Sequence, residues 1–208
     1  MHESPLLQDA AMVVIAYWWR CCLIVLLLSL VVSSAAATDQ PGRYTNNQFG
    51  FSFQSPGGWI YAHAPERNVR VKIVAPDGSP AAECAVTVKE YPKAGNARQG
   101  EIDRIFLVAP TIEELHEVLA DGGRQLKVIK ASTGTLDTRP IHVARYRLQL
   151  GFDEFLFGQV AMTATPGLTW SVSCSGRGGS PEEAEKNYQF WQKGIEALMT
   201  SFRFTKKR

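Results

Sequence analysis

The stretch from Ser180 to Phe202 constrains the fold of this chain more than any other. Ala184, Tyr188, Trp191, Ile195, Leu198 and Phe202 recur at spacings of four and three, the repeat of one face of an α-helix. Ser180 is placed to cap that helix, Pro181 takes its first position, and Glu183 is spaced to complete a capping box. So wide an apolar stripe must be covered, and a sheet is the natural cover.

The preceding residues supply the strands. Tyr44–Trp59, YTNNQFGFSFQSPGGW, reads as the entry into a globular domain. Phe49, Phe51 and Phe53 alternate with Gly50 and Ser52, the period of a half-buried strand, and Ser55–Gly58 must turn. Val69, Val71 and Ile73 alternate along 68–75 until Pro76-Asp77-Gly78 stops them. In 82–91, Ala82, Cys84, Val86 and Val88 share one face. Residues 101–109 fit a helix or an extended segment. Thr111 and Glu114 have capping-box spacing for a helix over 111–120, which Gly122-Gly123 would end.

Four strands follow, over 125–132, 141–150, 154–165 and 168–175, the last two joined by Pro166-Gly167. On 141–150, Ala144, Tyr146, Leu148 and Leu150 oppose Arg145, Arg147 and Gln149. On 168–175, Leu168, Trp170, Val172 and Cys174 point in and the alternate hydroxyls point out. A short edge strand is expected at 201–204. Consecutive strands with short turns predict an α+β fold, an antiparallel β-sheet flanked by helices, extending to a three-layer α/β/α sandwich. No internal repeat is visible.

The N-terminus bears on compartment. Cys21–Val32 is an uninterrupted apolar run after Arg20, followed by the small residues Ser33–Ala37. The run suits a signal-peptide core and falls short of the roughly 20 residues that span a bilayer. The reading is a secretory signal over 1–37 cleaved after Ala37, a linker over 38–43, one domain over 44–204 and a basic tail over 205–208, with Met1 or Met12 as the start. No cysteine follows the run to carry a lipid. The expected location is periplasmic or secreted. The alternative is an uncleaved anchor through residues 10–32 in the inner membrane, which is also the only membrane attachment expected. A net charge of +2 gives no electrostatic reason to expect nucleic acid.

Few residues suggest chemistry. Cys84 and Cys174 both fall on apolar strand faces, so an exported protein could join them in a disulfide if their strands are neighbours; the alternative is two buried free thiols. Gly176, Arg177, Gly178, Gly179 and Ser180 link a strand to a helix start, where free amides and the Arg177 charge could cradle an anion. The bland reading of that stretch is a loop with an N-cap, and it matches neither a phosphate-binding loop nor a dinucleotide fingerprint. Arg145 and Arg147, with Lys127 and Lys130 across the sheet, are a candidate docking patch for an acidic partner, against the commoner reading of a solvated face. His116-Glu117 begins like a zinc-protease motif, but Ala120 stands where the second histidine is needed. His63, His116 and His142 sit on separate elements without ligand spacing, and no serine elbow is present. No catalytic residue, metal or cofactor is assigned.

The FGFSFQSPGGW opening, and the WSVSCSG strand that runs through a Gly-rich loop into a terminal helix closing on SFRF, resemble the PsbP-like superfamily. That superfamily includes photosystem II PsbP proteins, eukaryotic Ran-binding relatives and bacterial exported or chaperone-like relatives such as DcrB and EagR. The resemblance covers Tyr44–Phe204. It implies an antiparallel sheet between helices and little about activity, because members mostly bind proteins and bind different ones. A bacterial source is expected, since no long transit sequence precedes the signal. The expected function is an exported, non-enzymatic protein-binding or assembly module, its partner another envelope or exported protein. The alternatives are a hydrolase with a site assembled from dispersed His, Asp and Ser residues, and a hydrophobic-ligand carrier with a cavity between the last helix and the sheet.

Overall fold

Strand alternation builds the molecule as the sequence leads one to expect, with three short strands set apart in a second sheet. The computed structural model describes residues 42–120 and 125–205. The proposed signal, the linker up to Pro41, the Gly122-Gly123 helix stop and the Lys206–Arg208 tail lie outside the described residues.

Seven strands form one antiparallel sheet in the order β3-β4-β5-β9-β8-β7-β6. They are β3 (Ile60–Ala62), β4 (Val69–Val74), β5 (Ala82–Glu90), β6 (Gln125–Leu136), β7 (Arg139–Gly151), β8 (Glu154–Thr165) and β9 (Leu168–Gly178). A second sheet holds β1 (Arg43–Asn46), β2 (Phe51–Gln54) and β10 (Arg203–Phe204), with β2 in the middle. The helices are α1 (Gln99–Leu107), α2 (Ile112–Leu119) and α3 (Pro181–Ser201).

The main sheet is covered from both sides. Phe157 on β8 meets Tyr188 of α3 edge to face, with ring centres 5.4 Å apart. Its neighbour Leu156 belongs to a separate apolar cluster with Leu115 of α2, Val128, Ala144, Tyr146 and Val160. Successive strand residues point to opposite faces, so α3 lies on one face and the α1–α2 pair on the other. The pair reaches β6, β7 and β8; α3 covers β9, β8 and β5. The segment left open between helix and strand, 99–107, is a helix, and its Ile102 is buried.

The opening aromatics depart from expectation. Strand β2 was expected half-buried, yet Phe51, Ser52 and Phe53 are all buried. It is paired on both sides, by β1 and by β10, so neither edge nor face is left to solvent. Phe51 stacks on Phe202 at 5.7 Å and meets Trp170 edge to face at 5.8 Å. The chain's C-terminal strand thereby closes over its first aromatic strand. Phe49 falls in the preceding turn, under the Arg70 guanidinium at 4.1 Å.

Helix α3 uses its stripe as read: Ala184, Tyr188, Ile195 and Leu198 are buried, and Trp191 donates its indole N–H to the Pro80 carbonyl at 2.7 Å. Its cap differs in one bond. Ser180 accepts from the Glu183 N–H at 3.2 Å, but the Glu183 carboxylate accepts from the Gly179 N–H, at 2.8 Å, one residue before the position a capping box requires.

The buried tyrosines give the fold an alkaline limit. Burial pushes the Tyr146 phenol from its ordinary 10 up to about 12, against the opposing hydrogen bond with Ser175. Burial also raises Tyr188, opposed by the Arg145 charge. Below about pH 10 these phenols are protonated in folded and unfolded chains alike, and the stability is fully present. Above it the unfolded chain releases protons that the folded chain retains, so unfolding becomes easier, by roughly 2–3 kcal/mol for Tyr146 once its folded value is passed. The urea midpoint is expected to decline from about pH 10 towards pH 12, and to decline less in Tyr146→Phe. Identical alkaline profiles for the two proteins would contradict this.

Candidate functional site

The strand register settles the cysteines. Cys84 on β5 stands directly opposite Cys174 on β9, with Cα atoms 4.1 Å apart and the sulfurs bonded. Both are buried in the core beneath α3. The disulfide is a cross-strand brace, and a bonded pair has no thiolate to act as a nucleophile.

The glycine-rich stretch serves packing. Strand β9 runs on to Gly178. A side chain at Gly176 would collide with the Tyr188 amide and the Ala184 carbonyl of α3, and one at Gly178 with the Ala184 amide. The groups proposed to hold an anion have internal partners. Gly179 N–H is taken by Glu183, and Ser180 caps α3. Arg177 projects from the opposite sheet face, where it pairs with Glu154 and, at 3.1 Å, with Glu83. Glu83 also meets Lys72 at 2.9 Å. Four charges on four adjacent strands thus neutralise one another.

The cations of β6 and β7 do lie side by side: Lys127 pairs in register with Arg147, and Lys130 with Arg145. Their face is the one that carries α3. Arg147 forms an ion pair with Glu185 of that helix at 2.6 Å, and Arg145 lies 5.8 Å from the Tyr188 ring centre. Two of the three candidate histidines reach backbone carbonyls, and His63 is exposed. The His116 ring is 3.2 Å from the Leu126 carbonyl and the His142 ring 2.9 Å from the Val108 carbonyl. No group of three metal-ligating side chains forms among the described residues.

A wide concavity lies on the α1–α2 face of the sheet, and of the residues singled out from the sequence for chemistry only His142 lines it. The α1–α2 pair covers only the β6–β8 part of its sheet face, and a trough of about 830 Å³ opens between the pair and the strands towards β9 and β5. Phe106, Leu115, Val118, Leu119 and Met162 supply apolar walls. Ile105, Leu107, Val108 and Val118 on or beside the trough are each more than 60% exposed, a density of exposed large apolar side chains unusual for a free surface. The signal was in the sequence: Ile105, Phe106, Leu107 and Val108 run consecutively, and a two-turn helix on a sheet cannot bury apolar residues on all its sides. The carrier alternative needed a cavity between the last helix and the sheet; among the described residues the stripe of α3 packs there as core, the simpler of the two readings.

No protein-family model matches the chain, and no curated protein matches it. Solved structures do. The cyanobacterial PsbP protein CyanoP of Synechocystis sp. PCC 6803 superposes over 83% of this chain and 98% of its own, with a TM-score of 0.52 at 18% identity. Looser likenesses are LpqN of Mycobacterium tuberculosis, at 10% identity over 82% of this chain and 88% of that one with TM-score 0.48, and the Ran-binding protein Mog1p of Saccharomyces cerevisiae, at 10% over 78% and 94% with TM-score 0.45. At such identities the likeness speaks of fold and not of activity. With its antiparallel sheet between α3 and the α1–α2 pair, this chain has the α+β, PsbP-like fold.

Proposed function

We propose that this chain is an exported, non-enzymatic module that binds a partner protein through the α1–α2 side of its sheet. The observation that carries the reading is the exposed apolar rim of Ile105, Leu107, Val108 and Val118 around the trough. Such residues cost solubility unless something covers them, and buried apolar anchors supply most of the energy of protein interfaces. Residues 1–37 act as the export signal, and residues 44–204 fold as the working domain. Among the described residues no helix is long and apolar enough to cross a membrane.

The test is co-purification from the periplasmic fraction of cells making the whole chain. A partner held by the native protein is expected to be lost, by tenfold or more in affinity, from the double variant Ile105→Glu, Val118→Glu, and kept by Arg145→Gln, Arg147→Gln. The first pair is exposed, so its melting temperature should stay near that of the native protein. Loss of the partner with the arginine variant instead would move the interface to the α3 side. Recovery of the chain only from the cytoplasm would remove the export signal from the reading.

A second reading is favoured by the trough itself. Its volume falls within the roughly 300–1,000 Å³ of small-molecule sites, which suits a carrier of a hydrophobic ligand.

A further inference from the structure

The trough is apolar on one side and polar on the other, and its one cation and one anion are differently engaged. Lys89 and Glu114 are its charged lining residues. Glu114 is engaged, accepting from the Thr111 N–H at 2.8 Å to close the cap of α2. The His142 ring is held by the Val108 carbonyl. Lys89 is exposed at the end of β5 and has no ion-pair partner among the described residues. The register gathers hydroxyls near it: Thr169, opposite Lys89, donates to the Lys89 carbonyl at 3.4 Å, while Thr87 and Ser171, opposite one another, supply the other hydroxyls of the trough.

An ammonium beside hydroxyl donors suits an oxyanion, which takes charge-assisted hydrogen bonds from both. The helical wall of Phe106, Leu115, Val118 and Leu119 offers carbon, and Met162, beside Ser171 on the sheet, adds to it. A partner protein can cover the exposed rim with its side chains, but an extended peptide laid along this inner wall would lose water from its backbone N–H and C=O groups without replacement. An acyl chain carries no such groups. We propose that the trough binds a single-chain anionic amphiphile of the fatty-acid kind, its carboxylate at Lys89 and its tail along the apolar wall. This rests on the carrier reading.

The test uses the exported chain, a dansyl-labelled fatty acid as fluorescent probe, and dodecanoate and dodecanol as competitors. Both are expected to displace the probe from one saturable site. Lys89→Gln should weaken dodecanoate by about tenfold or more, the worth of a charge-assisted bond, and leave dodecanol unchanged. Val118→Asp should weaken both. Lys89 and Val118 are exposed, and unchanged thermal melting would show that each variant folds. If dodecanoate binds Lys89→Gln as it binds the native protein, while Val118→Asp still loses both ligands, the head-group assignment is wrong and the carrier reading stands. If neither competitor nor probe binds the native protein, the proposal and the carrier reading fall together, and the trough is left to a protein segment.

Discussion

Gly176→Ala is expected to destabilise the fold by about 3 kcal/mol or more, the upper end of what overpacking costs. The added methyl would stand closer than 3.0 Å to backbone atoms at Tyr188, Ala184 and Asn187. None of these is the end of a flexible side chain. Relief therefore requires α3 to lift from β9, and with it Tyr188, Ile195 and Leu198, all fully buried. Gly100→Ala is the control. It lies in α1 with nothing within 4 Å of its added carbon, and alanine there should be neutral or stabilising by up to about 1 kcal/mol. Urea unfolding of the two variants checks this. A Gly176→Ala protein within about 1 kcal/mol of the native one would mean that α3 does not lie this close to the sheet.

The second large effect belongs to the disulfide. The bond joins residues 90 apart in sequence, and closing so long a loop restricts the unfolded chain by roughly 4–5 kcal/mol in the chain-entropy view. The native protein should be lighter than its reduced form by two hydrogens. Cys84→Ala with Cys174→Ala should lower the urea midpoint sharply, and a reducing agent should do the same to the native protein once it opens. The double variant should be indifferent to the reducing agent. Equal midpoints for native and double-variant proteins would show that the brace contributes nothing.

Much of this fold was legible before any coordinates, because period-two alternation and turn residues report which segments are strands and which side chains share a face. In the strands expected over 82–91, 141–150 and 168–175, the apolar residues lie on the faces expected of them, and the last strand runs on through Gly178, where the sequence reads as loop. Ser175 is the exception on β9: read as outward, it is buried and bonded to Tyr146. The alternation does not report which strand lies beside which. Cys84 and Cys174 could be placed on apolar faces but not opposite one another, since β5 and β9 are separated by both short helices and three strands. The same gap hid the α3 helix above Arg145 and Arg147, which looked like a solvated patch. It also hid the trough, which exists because seven strands are wider than two short helices can cover. Periodicity marks Ile105 and Val118 as apolar, and only the breadth of the sheet makes them exposed.

Photocrosslinking in living cells tests the proposed working surface most directly. A benzoylphenylalanine would be placed in the whole 208-residue chain at Val118, on the trough, or at Phe190 of α3, which is comparably exposed on the other side of the sheet. Illumination should give one discrete protein adduct from position 118 and none from position 190. An adduct from 190 with none from 118 would contradict the assignment and place the partner on α3.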